Sequence, residues 1–157
     1  MDEHGVVLSI QLSQGHRQPP VPVEETLALV GHGFDGDKHG KRRANTARQV
    51  LLVDRRSLEA LGFAPGALRE QLTVDLPGLD ALPRGTRLRV GEAVLEISGP
   101  CAPCEAIGII NGVDPNTLRE ALEGKRGVAA RVVAVAGAGR ICRGDKIVVE
   151  GGERVPR

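Results

Sequence analysis

A chain of 157 residues with a net charge of +1 and two aromatic residues, Phe34 and Phe63, offers no overall field to recruit nucleic acid or an anionic membrane, and few rings on which bases stack. No apolar run approaches the ~18 residues of a membrane span, the opening MDEHGVVLSI is acidic where a signal peptide is basic, and three cysteines, an odd number, fit free thiols better than a disulfide framework, so a cytoplasmic protein is expected. Twenty-one glycines and ten prolines imply many turns, so the 41% hydrophobic content, mostly Leu, Val, Ile and Ala, is expected to build one mainly β domain over residues 1–157, with short helices and a closely packed aliphatic core.

Along the chain, GVVLSIQL (5–12) is predicted as the first strand and SQGHRQPPVPVEE (13–25) as a Pro-rich surface loop. TLALVGHGFDGDKHGKRRANTAR (26–48) begins as a strand and becomes a long Gly-rich basic segment without apolar periodicity, a length of loop usually functional or disordered. QVLLVDRRSLEALG (49–62) reads as a buried strand ending at Asp54, which caps a short helix with Leu58 and Leu61 inward and Gly62 as its stop. PGALREQLTVDL (65–76) is expected to start another short helix and run into a strand. GTRLRVGEAVLEISG (85–99) alternates cleanly about Gly91 and Glu92, a hairpin. DPNTLREALEG (114–124) is a helix with Asp114 as N-cap, Pro115 first, and Leu118, Ala121 and Leu122 on one face, and GVAARVVAVA and DKIVVE close the chain as strands.

Two stretches carry chemistry. In GPCAPCEAI (99–107) the C-x-P-C pair Cys101 and Cys104 matches a thioredoxin-type redox pair by spacing, but it follows a hairpin rather than an early strand-to-helix turn. A structural zinc site lacks its second C-x-x-C, and would need Cys142 with His32 or His39. What remain are two buried small side chains, or one working thiolate whose pKa nearby helix N–H groups would lower. In GFDGDKHGKRR (33–43), glycines allow backbone N–H groups to converge while Lys38, Lys41, Arg42, Arg43 and Arg48 supply positive charge, which suits either a phosphate or a merely solvated loop. GKRGVAAR (124–131) and Arg69 could converge on the same anion, and Arg131 would need a partner if buried. Cys142 reads as structural, His4 and His16 as exposed, and His32 as a satisfied core histidine or a pocket residue, the former favoured.

Taken in order, GFDGDKHG, ARQVLLVDRRSLEALG, GALREQLTV, LPRGTRLRVGEAVLEISGPCAPCEAI, GKRGVAARVV and GRICRGDKIVV resemble the MOSC domain, named from the C-terminal portion of molybdenum cofactor sulfurases, over residues 28–150. The resemblance implies a distorted closed β-barrel like the β-barrel domain of pyruvate kinase, and association with the molybdenum cofactor or with sulfur for metal-sulfur clusters. By the same resemblance, Cys104 is the metal-binding or persulfide cysteine, and Asp37, His39, Arg48, Gln49, Arg69, Glu70 and Thr73 fall on recurrent polar positions. Arg131, in GKRGVAARVV, completes the implied cofactor pocket. The family more often has Asn at Gln71 and an aromatic residue at Ala129, so the pocket's hydrogen bonding and openness are where this chain departs.

Three functions follow from that likeness. The chain is a cofactor-binding or sulfur-carrying module serving a sulfur donor or a molybdoenzyme. Alternatively it is a molybdenum-dependent reductase of N-hydroxylated substrates; lacking a cysteine cluster for iron-sulfur and any flavin or nicotinamide motif, it would need a separate electron-transfer partner. Or it keeps the fold without the cofactor.

Overall fold

The computed structural model describes residues 4–15, 18–38, 46–100, 112 and 114–150. The strands among them are β1 (His4–Leu12), β2 (Val21–Val23), β3 (Glu25–Leu29), β4 (Gly33–Phe34), β5 (Val50–Asp54), β6 (Leu72–Asp75), β7 (Arg87–Val90), β8 (Ala93–Pro100), β9 (Val128–Val135), β10 (Arg140–Cys142) and β11 (Lys146–Glu150). Helix α1 (Arg55–Leu61) follows β5, a 3-10 turn covers Leu79–Ala81, and α2 (Pro115–Leu122) precedes β9.

Seven strands close into a barrel in the order β11-β7-β8-β9-β5-β6-β1, with β1 returning to β11 and β2 added beside β1. The long β1 makes the closure possible, because its first residues pair with β11 (His4 with Val148) while its last pair with β2 (Ile10 with Val23). Neighbours in the barrel are antiparallel except β5 and β6. A parallel pair cannot be joined by a tight turn, so the chain crosses between them through α1. Strands β3, β4 and β10 form a separate small sheet.

The hairpin is as predicted. In β7 and β8, Leu88, Val90, Ala93, Leu95 and Ile97 alternate into the barrel. Gly91 between them has φ 56, and a Cβ there would lie 2.7 Å from the Arg140 carbonyl oxygen, so both conformation and space require glycine. Strand β5 is apolar on both faces: Val50 and Leu52 enter the barrel core, while Val53 joins an outer cluster with Leu58 of α1, Leu118 and Leu122 of α2, and Leu68. A fully buried side chain of this size contributes ~1.5–3 kcal/mol, so the outer cluster is what fastens both helices to the wall.

The helix caps also match. Asp54 accepts from the Arg56 N–H at 3.1 Å and, inside the fold, from the Leu76 N–H at 2.8 Å, while Gly62 closes α1 with φ 70. Asp114 accepts from the Thr117 N–H at 2.9 Å, which holds its carboxyl below the usual range.

Several expectations need correction. Residues 65–68 are turns rather than a helix, because the Glu70 carboxylate takes the N–H groups of Gly66 and Leu68 that a helix would leave to its own turn, and Gly66 (φ 93) and Arg69 (φ 62) are left-handed. The Pro-rich stretch contains β2, since an edge strand tolerates Pro22. The Gly-rich segment contains β4, and β10 lies between the two closing strands. On α2, Leu118 and Leu122 are buried but Ala121 is exposed, a narrower stripe than the sequence suggested. His32 is exposed, not a core residue, because it sits in the turn between β3 and β4.

Candidate functional site

One end of the barrel, where β5 and β6 start and β1 finishes, holds most of the sequence-predicted polar residues. Glu70, 1% exposed, accepts hydrogen bonds from the Gly66 N–H at 2.9 Å, the Leu68 N–H at 3.1 Å and the Thr73 hydroxyl at 2.6 Å. Gln11 crosses from β1, its Nε2 donating to the Glu70 carbonyl at 3.0 Å and to Thr73 Oγ1 at 3.3 Å. Burial pushes the Glu70 carboxyl up, and these donors pull it part of the way back. The arrangement clamps the 64–70 turn to the barrel. It also explains the left-handed backbone at Arg69, which lies between two residues of the clamp and whose guanidinium donates to the carbonyls of Gly15 and Gln18, each at 3.1 Å.

Asp37 is buried beside this network, accepting from the Ser13 N–H at 2.5 Å and from Gln71 Nε2 at 3.4 Å. Gln71 in turn exchanges two bonds with Leu51, through its side-chain oxygen at 2.8 Å and its own N–H at 3.0 Å. Gln49 donates to the Thr46 carbonyl at 2.9 Å and accepts from the Val132 N–H at 2.9 Å, stitching the start of β5 to β9. Arg48 is exposed at the same end. A cleft of about 600 Å³ opens between the Pro-rich stretch and the 64–69 turn, with Gln11 and Arg69 among its lining residues.

Arg131 stands at the same level of the wall, between Ala130 and Val132, which both bond Gln49, but faces outward. It is on the exposed face of β9, where its guanidinium donates to Glu96 Oε1 at 2.8 Å. That contact is the main reason the Glu96 carboxyl sits below its usual range. His39, Cys101 and Cys104 lie outside the described residues. Cys142 ends β10, and burial together with the charges of Asp145 and Glu25 pushes its thiol up, the opposite of an activated nucleophile.

Pro100, the last described residue before the cysteine stretch, lies at the other end of the barrel. Strands β5 and β8 are both antiparallel to β9, so β8 finishes toward the end where β5 finishes. Its last residue, Pro100, pairs with Val128 at the start of β9, and the stretch begins at the next residue. Three side chains carry buried polar atoms with no hydrogen-bond partner among the described residues: Ser98 Oγ in β8, Thr86 Oγ1 just before β7, and Nε and Nη1 of Arg126 just before β9. Arg126 is 5% exposed, and its Nη2 donates to the Leu68 carbonyl at 3.0 Å. Buried orphans of this kind are uncommon and call for an explanation.

The family profile of the MOSC domain matches residues 35–148, most of the chain. The chain belongs to the MOSC domain family. The fold is similar to that of the YuaD protein from Bacillus subtilis, with a TM-score of 0.78 and 19% identity over 95% of this chain and 97% of that one. It is also similar to YiiM from Escherichia coli (TM-score 0.70, 18% identity, covering 96% and 70%) and YiiM from Geobacillus stearothermophilus (TM-score 0.71, 19% identity, covering 94% and 75%). No curated protein sequence matches this MOSC chain. No helix among its described residues is long and apolar enough to cross a membrane.

Within this MOSC domain the structure therefore gathers Asp37, Gln49, Glu70 and Thr73 at one barrel end, with Arg48 and Arg69 on its outside and Arg131 on the outward face of β9 beside Gln49. Sequence reasoning missed Gln11, an ordinary residue of a strand until its partners are known. It treated Arg126 only as part of a basic turn. The available signal was its setting in GKRG, where glycines on both sides mark a tight corner between a helix and a strand.

Proposed function

We propose that this MOSC domain binds the molybdenum cofactor, or receives and carries sulfur for it, through the thiolate of Cys104. The observation that supports the reading is the family match over residues 35–148, a span that contains the cysteine stretch, in a family generally linked to that cofactor. The end of β8 that leads to the stretch fits a bound polar group, since the hydroxyls of Ser98 and Thr86 are buried there without partners among the described residues. When bound, the cofactor supplies a redox-active metal held by sulfur. The chain supplies a soft thiolate matched to that metal and hydroxyls able to donate to an anionic group.

As a carrier, the Cys104 thiolate attacks the terminal sulfur of a donor protein's persulfide. A new S–S bond forms at Cys104 while the donor's S–S bond breaks, the donor leaves as its thiolate, and the proton stays on the transferred sulfur. No external oxidant is needed. The partners of this reading are a persulfide donor and a molybdoenzyme or electron-transfer protein that takes the loaded domain.

The test is purification from molybdate-supplied cells able to make the pterin cofactor, comparing wild type with Cys104→Ala and Cys101→Ala. The expected result is molybdenum with oxidised-pterin fluorescence, or a persulfide mass increment, lost in Cys104→Ala and kept in Cys101→Ala. Wild-type protein with none of the three signals would overturn the proposal.

A further inference from the structure

We propose that Arg126 is the cationic centre of a binding site for a small oxyanion of the phosphate or sulfate class, at the corner between α2 and β9. A buried cation normally escapes its desolvation cost by losing its proton or by pairing. Arginine cannot take the first route, because its guanidinium stays charged throughout the range in which proteins are folded. Nor does it take the second among the described residues: no carboxylate pairs with it, and Nε and Nη1 have no acceptor. Asp80, which reaches the adjacent residue, uses its Oδ1 to accept from the Gly127 N–H at 2.9 Å. The one hydrogen bond that Arg126 makes among the described residues, from Nη2 to the Leu68 carbonyl, orients the planar group without neutralising it.

The surroundings make the charge more demanding. Leu68 belongs to the apolar cluster with Leu118 and Leu122, so the guanidinium stands against a low-dielectric wall where attraction to an anion is weakly screened. Guanidinium geometry suits the flat, multi-oxygen edge of phosphate or sulfate. The site does not rest on the cofactor reading, since its one requirement is an oxyanion. Free inorganic anion and the phosphate of a larger ligand such as a phosphorylated pterin present the same chemistry.

The experiment uses the full, cofactor-free chain, titrated with inorganic phosphate and with sodium chloride at matched ionic strength. Thermal unfolding and calorimetric binding are followed for wild type, Arg126→Met and Arg126→Lys. Phosphate is expected to raise the wild-type unfolding temperature beyond the chloride control. In Arg126→Met that increment disappears and phosphate binding weakens roughly ten- to a hundred-fold, the scale of losing charge-assisted bonds, while the anion-free variant unfolds no lower than wild type because an unpaired buried charge has gone. Arg126→Lys keeps part of the response. Protein loaded with a pterin phosphate separates the sources: loss of the phosphate response on loading assigns the site to the larger ligand, and its persistence assigns it to the free anion, both supporting the site. Two results would overturn it: a wild type that responds to phosphate no more than to chloride, or an Arg126→Met variant that is strongly destabilised yet binds phosphate normally, which would make Arg126 a partner for the chain itself. Neither depends on Cys104, so this proposal and the cofactor reading fail separately.

Discussion

Replacing Glu70 with alanine removes one carboxylate and leaves three buried donors without an acceptor: the N–H groups of Gly66 and Leu68 and the hydroxyl of Thr73. Each stranded donor costs ~1–3 kcal/mol, and water from the adjoining cleft would recover part of that. A net loss of ~3–6 kcal/mol is expected, a large share of the ~5–15 kcal/mol that holds a domain together. Glu70→Gln keeps one acceptor oxygen and turns the other into a donor, so it should lose ~1–3 kcal/mol. The comparison also has a pH signature. Burial raises the Glu70 carboxyl above its ordinary value of 4.5, so the folded protein holds that proton more tightly than the unfolded chain does. The associated stability is complete below about 4.5 and is lost as pH rises through the folded value. Glu70→Gln lacks this proton, so the wild-type advantage over it should shrink from acidic toward neutral pH. Urea unfolding of the three proteins across that range measures both effects. A Glu70→Ala variant within 1 kcal/mol of wild type, or a difference between wild type and Glu70→Gln that grows with pH, would refute the clamp as described.

Other substitutions separate packing from function. Gly127→Ala places a Cβ at φ 106 and 2.8 Å from Val53 Cγ2, so a loss of ~3 kcal/mol or more is expected by urea unfolding. Leu118→Ala empties part of the cluster that holds both helices and should cost ~2–5 kcal/mol, with protection from proteolysis lost first at α2. Arg131→Ala breaks an ion pair whose arginine side chain is 45% exposed, so stability should change by less than ~1 kcal/mol; molybdenum content in loaded protein should stay at the wild-type level, and a drop would return Arg131 to the cofactor pocket.

The parts of this fold legible in the sequence are those governed by neighbours in the chain. The alternation in 85–99, the Asp54 and Asp114 caps and the Gly62 stop each depend on a few adjacent residues, and each stands in the structure. The 65–70 stretch was misread because its conformation is imposed from a distance: GALRE has helical composition, but Glu70 spends its carboxylate on two preceding N–H groups and is itself held by Gln11, 59 residues away. The same holds for β2, which exists because β1 outruns its barrel partners and offers a free edge to a Pro-containing segment. His32 was misplaced because its apolar neighbours suggested a strand end, when the chain turns there between two short strands.

Polar residue type marked where side chains gather, and hydrogen-bond accounting sorts what they do. Gln49, Glu70 and Thr73 form a group that any reading by composition would single out, yet each is already bonded within the chain, to a turn, a strand edge or one another. A side chain so engaged must break a bond to take up a ligand, which costs more than it returns unless the ligand is charged. Ser98 and Thr86 carry no signal in the sequence and Arg126 only that of a basic turn, and buried polar atoms without partners among the described residues are what distinguish them. A fold that keeps a buried guanidinium half satisfied gives up stability that a methionine would recover, and proteins carry such deficits chiefly where something binds. On that reasoning the proposed ligand contact falls on Arg126, and the Glu70 network, which takes the Leu68 N–H and so steadies the carbonyl to which Arg126 donates, is the brace for the turn beside it.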